Sequence, residues 1–394
     1  MKKGLTKAQA DMKLANLTTI FNILYDKTPI SRADLAKISG MSPTSITRFV
    51  TSMLSVNLLR ETPAEEKKVG RTAAWLAINP DAFYSVGINI DSGYIHVALL
   101  NFRKQIIADE YTRITIASPT MEQILDIAYD LYLSTLNQTA VTPDRICGIG
   151  VSVVGVMNDS EILEFTPQLK WKGINIRRAV IEKFCFENVV VENDCNSSLV
   201  GQLVLHPEYK EKSVACICLG SGVGSAFWCQ GSLFTRPGRV SFSEIGHTIV
   251  EPDGMLCDCG NRGCLQTFIA EEALIKRAQA HEPSITLLEE IHQAWLSEIP
   301  WARELITQAC SYIKIGINNL ACVYNPEIIL ICGESVDDYW DMFGAVMEEP
   351  QPLFYPFKDK LTILPFAKKY QSSIIGVAQQ VQDIYLNQLL KKTL

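Results

Sequence analysis

His247 and the run Cys257-Asp258-Cys259-Gly260-Asn261-Arg262-Gly263-Cys264 hold the most specific chemistry in the sequence. One imidazole and three thiolates make up a tetrahedral Zn2+ ligand set, and the glycines let the backbone turn around the ion. Four protein ligands leave no open position for water, so one structural zinc per chain is expected, not a hydrolytic one. Free thiols on a loop are the plainer alternative, and the compact spacing speaks for the metal. The other cysteines among the chain's 12 are scattered through apolar runs such as Ala215-Cys216-Ile217-Cys218-Leu219. They read as buried thiols of a reducing compartment rather than as a disulfide framework.

Two further groups point to a polyol ligand. If His247 gives one ring nitrogen to the ion, its other N–H is held in a fixed direction and can donate to a ligand. Glu244, three residues earlier, can accept from vicinal hydroxyls. Asn193 and Asp194 form a second hydrogen-bonding pair at a strand end, where an Asp could also act as a general base, although Asn-Asp after a strand is equally an ordinary turn. In Gly220-Ser221-Gly222-Val223-Gly224, backbone N–H groups could cradle a phosphate, or the stretch is a glycine hairpin.

The elements that must position these residues are legible as a pattern. Past Asn79-Pro80, strands alternate with helices. Residues 84–90, 95–100 and 105–111 read as a meander, 121–136 as a helix, and 146–151 and 189–192 as strands. A second cycle starts with strands at 214–219 and 225–230. It continues through a helix near 302–323, strands at 327–332 and 361–364, and a terminal helix over 373–390. Two strand-rich units, each followed by helices, imply an α/β body of two lobes with a ligand cleft between them. The expected lobes are 81–196, completed by a C-terminal helix within 373–394, and 197–372, which bears the zinc residues.

Residues 1–80 differ in character. The chain as a whole carries net −7, but residues 1–72 hold 12 Lys and Arg against 6 Asp and Glu, while the remainder is net −13. A basic head on an acidic body suggests a polyanion-binding module joined to something else. Leu14, Leu17, Ile20, Phe21 and Leu24 mark an amphipathic helix, which Thr28-Pro29 breaks. Ser31 caps a second helix with Asp34 at N3 and Leu35 and Ile38 facing inward. Gly40 turns the chain, Ser42 caps a third helix with Pro43 as its first residue, and Ile46, Val50, Met53 and Leu54 line its inner side. Its other face presents Thr44, Ser45, Thr47, Arg48 and Thr51, groups that reach base edges and phosphates in a major groove. Strands at 58–60 and 75–78 flank a charged turn in which Lys67 and Lys68 are candidate phosphate contacts. Three helices and a wing fit a winged helix-turn-helix, although short helical pairs also occur as plain interaction modules.

Composition excludes other classes. No stretch reaches the ~18 apolar residues of a membrane helix. The basic N-terminus runs into polar residues without an apolar core segment, so a cytoplasmic protein is expected. No membrane partner is expected either.

Together these motifs resemble the ROK family of repressors and sugar kinases across essentially the whole chain. Glu244-Ile245-Gly246-His247 is similar to its sugar-binding ExGH element, Cys257 to Cys264 to its CxCGxxGC zinc signature, Asn193-Asp194 to its sugar-binding and catalytic pair, and Gly220–Gly224 to its second phosphate loop. The resemblance implies an actin-like, hexokinase-like two-lobed body, dimeric or tetrameric. It implies sugar contacts from Asn193, Asp194, Glu244, His247 and Gln266, although Gln266 stands where the family usually has Glu. The winged head places the chain with the repressors, which implies an inverted-repeat DNA operator, a sugar or sugar-phosphate effector and, for some members, control by a phosphotransferase-system protein. Departures from the kinases matter. Where they carry an Asp-x-Gly-Gly-Thr-Lys phosphate loop, this chain has Asn89-Ile90-Asp91-Ser92-Gly93-Tyr94, which loses one carboxylate, adds negative charge and replaces the cation. No phosphoryl-transfer activity is therefore expected, a DNA-tethered sugar kinase being the alternative. The repressors' Gly-Arg-Pro linker reads Gly70-Arg71-Thr72, in which Arg71 can still enter a narrow minor groove.

Overall fold

The computed structural model describes residues 7–63, 75–116, 118–158, 162–166, 169–235, 243–348, 353–354, 360–365 and 369–393. At the N-terminus, α1 (Lys7–Lys27) stops before the Thr28-Pro29 pair and leads through β1 (Ile30–Ser31) into α2 (Arg32–Ser39). The Ser31 hydroxyl accepts from the Asp34 N–H at 3.1 Å and donates to the Asp34 carboxylate at 2.6 Å, so the cap closes on its own N3 residue. Gly40, with φ of 68°, takes the left-handed conformation that ends the helix without a Cβ penalty. Ser42 then caps α3 (Pro43–Ser55), which buries Ile46, Phe49, Val50 and Met53. Ile38, expected inward, is instead exposed.

β2 (Leu59–Thr62) and β3 (Trp75–Ile78) form an antiparallel ribbon, and β1 pairs with the other edge of β3. Three helices followed by this ribbon are consistent with the winged helix-turn-helix expected from the sequence. Residues 64–74, with Lys67, Lys68 and Arg71, lie outside the described residues.

The body repeats one topology twice. In the first half β4 (Tyr84–Ile90), β5 (Tyr94–Asn101) and β6 (Ile106–Arg113) form a meander. They are followed by α4 (Met121–Asn137), β7 (Ile146–Val153), α5 (Ile176–Phe184), β11 (Val189–Asn193) and α6 (Asp194–Leu205). Between β7 and α5, a small antiparallel sheet is made of β8 (Val156–Met157), β9 (Leu163–Thr166) and β10 (Trp171–Ile174). In the second half, the meander β12 (Val214–Leu219), β13 (Val223–Cys229) and β14 (Ser232–Leu233) leads to α7 (Gln266–Ile269), α8 (Glu271–Ala278), α9 (Leu288–Leu296) and α10 (Pro300–Tyr324). Next come β15 (Ile328–Cys332), α11 (Glu334–Asp338), α12 (Trp340–Phe343), α13 (Ala345–Glu348), β16 (Thr362–Pro365) and α14 (Lys369–Thr393). The sheet orders, β11-β7-β4-β5-β6 and β14-β13-β12-β15-β16, read from opposite ends, are the same arrangement. In both, the meander's first strand pairs in parallel with the strand after a helical crossover. β4, β7, β12 and β15 are buried along their whole length, which explains their largely apolar composition.

Each sheet is covered on both faces. α4 and α5 pack on one side of the first sheet, and α7 to α10 on one side of the second. The inner faces are covered by α14 and α6 respectively: Ile374 and Ala378 of α14 meet Ala98 and Leu100, and Leu199 and Leu203 of α6 meet Val214, Cys216 and Leu330. These two helices cross in backbone contact. A Cβ on Gly201 would lie 1.8 Å from the Ser372 carbonyl oxygen, and one on Gly376 would lie 1.9 Å from that of Ser197. Gln202 also donates to the Ser372 hydroxyl at 2.7 Å.

The far end of α14 enters a different core. Val381, Leu386 and Leu390 are buried together with Phe83, Phe102 and the head residues Leu17, Ile20, Phe21 and Leu24. Phe102 lies between the rings of Phe21 and Phe83, at 5.4 and 4.3 Å between centroids, and Tyr385 abuts Phe83 at 4.9 Å. One apolar cluster thus belongs to head and body at once.

Gly376→Ala is expected to destabilise the chain by about 1–3 kcal/mol, because the atom in the way is backbone and cannot rotate aside. Gly93→Ala, where a Cβ meets nothing within 4 Å, is expected to change stability by no more than ~0.5 kcal/mol. Thermal midpoints of the two variants check the contrast.

Candidate ligand and metal site

The small sheet β8–β10, the β11–α6 junction, the β12–β13 turn and the 243–272 segment surround a cleft of about 600 Å³, a volume suited to a small molecule. Asn193, Asp194, Glu244, His247 and Gln266 all line it. The structure therefore brings together five residues that the sequence separates by up to 73 positions.

Asn193 is the N-cap of α6. Its amide oxygen accepts from the N–H groups of Cys195 and Asn196 at 2.9 and 3.2 Å, and its amide nitrogen donates to the Gly155 carbonyl at 3.0 Å and to Asp194 at 3.1 Å. Those bonds fix the Asp194 carboxylate in the first turn of the helix, where the N-terminal dipole favours negative charge. Beneath the pair, Glu192 accepts from the Asn193 N–H and the Asn196 side chain at 2.8 and 3.0 Å. Burial pushes the Glu192 carboxyl up, against those hydrogen bonds, which favour its charged form.

Opposite, the single turn Ile245–His247 packs so closely on β13 that a Cβ on Gly246 would stand 2.2 Å from the Val223 carbonyl oxygen. This closeness explains glycine between Glu244 and His247. The ring of His247 turns Nδ1 toward the Cys257 sulfur at 3.6 Å, and Cys259 and Cys264 sulfurs are also 3.6 Å apart. One ligand atom from each of the four residues fits within 4.8 Å of the others. Bonds of about 2.3 Å from zinc to sulfur and 2.0–2.1 Å to nitrogen imply tetrahedral edges of roughly 3.8 and 3.6 Å, so the donor set fits such an ion. Backbone bonds from Cys257 to the Asn261 carbonyl and from Gly260 to the Cys257 carbonyl, at 2.8 and 2.9 Å, fold the loop around it. Gln266 donates to the Cys257 sulfur at 3.3 Å, which leaves its amide oxygen as the group able to accept from a ligand hydroxyl.

The sequence reading missed part of the lining. Phe165 and Lys170 come from the small sheet and its turn, and Asp258 and Glu272 from the cysteine loop and α8. Lys170 is the one Lys or Arg among the described lining residues, against the carboxylates of Asp194, Glu244, Asp258 and Glu272. The glycine-rich stretch is a hairpin turn between β12 and β13, closed by Gly220 N–H to the Gly222 carbonyl at 3.1 Å. The Gly220 carbonyl accepts from the Glu271 N–H at 2.9 Å. Burial pushes the Glu271 carboxyl up, and the nearby negative charges of Asp91, Glu272 and Asp338 push it the same way. Across from them Asn89 donates to the Tyr94 hydroxyl at 2.9 Å, and Asp91 accepts from the Ser92 N–H at 2.6 Å.

In the head, Thr44, Thr47, Arg48 and Thr51 are exposed along one face of α3, with Ser45 half-buried beside them. The Thr47 hydroxyl donates to the Pro43 carbonyl at 2.9 Å and Ser42 donates to Ser45 at 3.0 Å. Each of these two side chains keeps an oxygen that can accept from outside.

A duplicated five-stranded α/β body with a carboxylate-lined cleft and an HxnCxCGxxGC cluster, behind a three-helix head with an antiparallel ribbon, defines a class: residues 85–384 match the ROK family, and the chain belongs to it. It is 25% identical over 383 residues to the xylose repressor of Bacillus subtilis, an alignment covering 97% of this chain and 98% of that protein. A solved ROK family transcriptional regulator, a homologue of the E. coli MLC protein, superposes with a TM-score of 0.78 at 24% identity, covering 97% of this chain and 99% of its own. A ROK family glucokinase from Streptomyces griseus, solved with glucose and AMPPNP, superposes at 0.65 and 21% identity, covering 75% of this chain and 98% of its own. The hexokinase-like body expected from the resemblance is thus the fold observed.

Asn193→Ala is expected to lower stability by about 0.5–2 kcal/mol through loss of the α6 cap. Chemical denaturation of the purified variant measures it, and an unchanged midpoint would show that the cap contributes nothing.

Proposed function

We propose that the chain is a sequence-specific, double-stranded-DNA-binding repressor of carbohydrate uptake or catabolism genes, relieved by an unphosphorylated sugar bound in the cleft. The observation that carries this reading is the single apolar core that ties the winged head to α14, the helix that also crosses the ligand-bearing α6. A kinase needs no such linkage. The curated relative in B. subtilis, a xylose repressor, has the same span of chain.

In this reading a homodimer sets two α3 helices on successive major-groove faces of an inverted repeat. Thr44, Ser45, Thr47 and Arg48 meet base edges, while Lys67, Lys68 and Arg71 meet phosphates or the minor groove. Asp194 and Glu244 accept from sugar hydroxyls, Gln266 accepts beside them, and Asn193 holds Asp194 in place. We assign His247, Cys257, Cys259 and Cys264 to one structural zinc. When bound, that ion supplies a fixed geometry: with Nδ1 engaged, His247 keeps Nε2–H to donate to a ligand oxygen. Four carboxylates against one lysine disfavour a phosphorylated effector, since like charges at short range in a partly desolvated cleft repel by several kcal/mol, by the rough scale of Coulomb's law.

The second reading, a sugar kinase with a DNA-binding head, meets an electrostatic obstacle. Asp91, Glu271, Glu272 and Asp338 gather around the Gly220 turn, where a kinase of this fold places polyphosphate. Asn89 and Tyr94 satisfy each other instead of holding a metal–nucleotide.

Control runs through geometry. A sugar that favours one angle between the two sheets moves α6 against α14, and α14 carries that motion into the core under α1.

Three measurements test the proposal. Selection of genomic fragments by the purified chain at moderate salt is expected to yield an inverted repeat; recovery of no palindromic site would overturn the repressor reading. Asp194→Ala is expected to keep operator affinity while raising the sugar concentration needed for release at least tenfold, and brisk ADP formation with any hexose would favour the kinase instead. Metal analysis is expected to give one zinc per chain, and Cys259→Ser or chelation to lower the thermal midpoint and blunt the sugar response together.

A further inference from the structure

Beneath the cleft floor lies a second group of sulfurs, which the reading above does not use. Cys195 at the start of α6, Cys216 and Cys218 on β12, and Cys332 at the end of β15 are all buried in one layer with Leu199 and Leu330. The Cys218 and Cys332 sulfurs are 3.0 Å apart, and those of Cys216 and Cys218 are 3.9 Å apart. Cys218 and Cys332 are register partners on adjacent parallel strands. Neighbouring strands run about 4.7–4.9 Å apart, inside the Cα separation of about 4.4–6.8 Å that a disulfide accepts. Cys218 also lines the cleft, as does Cys195, so Cys218 is the member of the pair that borders it, while Cys332 is fully buried.

We propose that Cys218 and Cys332 are an oxidisable dithiol, at which a hydroperoxide converts two strand-borne thiols into a disulfide joining β12 to β15. A metal fits the pair poorly. The 3.0 Å separation falls well short of the roughly 3.8 Å edge of a zinc–thiolate tetrahedron. Three thiolates in an apolar layer would also bury charge that no described cation offsets there.

The chemistry balances with hydrogen peroxide as the oxidant. The Cys218 sulfur attacks one peroxide oxygen, the O–O bond breaks, and the Cys218 thiol proton leaves with the departing oxygen as water, giving a sulfenic acid. The Cys332 sulfur then attacks the Cys218 sulfur. The S–OH bond breaks, and the hydroxyl leaves as water with the Cys332 proton. Peroxide is reduced to two waters, and the two thiols are oxidised to one disulfide. The bond would pin the strand ends that carry the Gly220 turn and Gly333, a residue so close to Leu219 that a Cβ there would lie 1.8 Å from its carbonyl oxygen.

The test treats the full-length protein with a few equivalents of hydrogen peroxide, alkylates the remaining thiols after denaturation, and maps peptides without reduction, with zinc content followed in parallel. Expected is a cross-linked peptide pair containing Cys218 and Cys332, lighter by two hydrogens and released by dithiothreitol. In the double variant Cys216→Ser/Cys332→Ser, which removes the strand-borne thiols beside it, Cys218 is expected to accumulate sulfenic acid that dimedone traps. Full alkylation of Cys218 and Cys332 under conditions that oxidise the exposed Cys185 and Cys322 would overturn the proposal, as would a second bound metal ion per chain. Neither result depends on sugar or DNA binding.

Discussion

The crossing of α6 and α14 is the constraint on which the rest of the body depends. Gly201 and Gly376 each press against the partner helix's backbone, with Ser197 and Ser372 one turn away on the same faces. Small residues four apart on both helices bring the axes closer than ordinary side chains allow. This closeness is needed because α6 belongs to the second sheet's core and α14 to the first's. Two layers built to the same plan thus meet through two rods in backbone contact. Residues 87 and 150 show the same economy: Gly87 and Gly150 let α14 settle on β4 and β7, where a Cβ would collide with Ile374 and Val377. A joint of this kind transmits displacement rather than absorbing it, because close-packed interiors deform little.

α6 has a second task at its first turn. Its cap residue, Asn193, spends its amide oxygen on two backbone N–H groups and its amide nitrogen on Gly155 and Asp194. The same side chain therefore starts the helix, anchors it to the segment between β7 and β8, and orients the carboxylate that faces the cleft. The cap and the cleft-facing carboxylate share one hydrogen-bond set, so a ligand held by Asp194 in the proposed reading would pull on the end of the helix that crosses α14.

Much of this was legible in the sequence, for identifiable physical reasons. Caps at Ser31 and Ser42, the Gly40 stop and the alternation of apolar strands with helices are local signals, and they placed the head's helices, the main strands of both halves and the helices α4, α10 and α14 within a few residues; α6, which begins at the Asn193-Asp194 pair, was not among them. The cysteine loop was legible because few other structures need four soft ligands at that spacing. What escaped was non-local. The two-residue strand β1 pairs with the open edge of β3, and Ile38 is exposed although it stands at helical spacing from the buried Leu35. The small sheet β8–β10, which brings Phe165 and Lys170 to the cleft, is made of strands of two to four residues with no period to detect. The carboxylate cluster around Glu271 comes from three separate segments, and no spacing rule joins Asp91 to Asp338.

That cluster bears on how one fold serves both catalysts and regulators. Phosphoryl transfer requires positive charge and a metal around the transferring group, with the phosphates held in line. Here Asp91, Glu271, Glu272 and Asp338 make the space around the Gly220 turn acidic, and two of the departures from the kinase loop, Asn89 and Tyr94, are bonded to one another. In the proposed reading, the other half of the cleft keeps Asp194 and Glu244 as acceptors and His247 as a donor for hydroxyl recognition. In that reading, loss of the nucleotide half would remove turnover without removing a closure driven by a bound sugar. A ligand bound and not consumed would then make the angle between the two sheets report its concentration, with α14 as the link to the head.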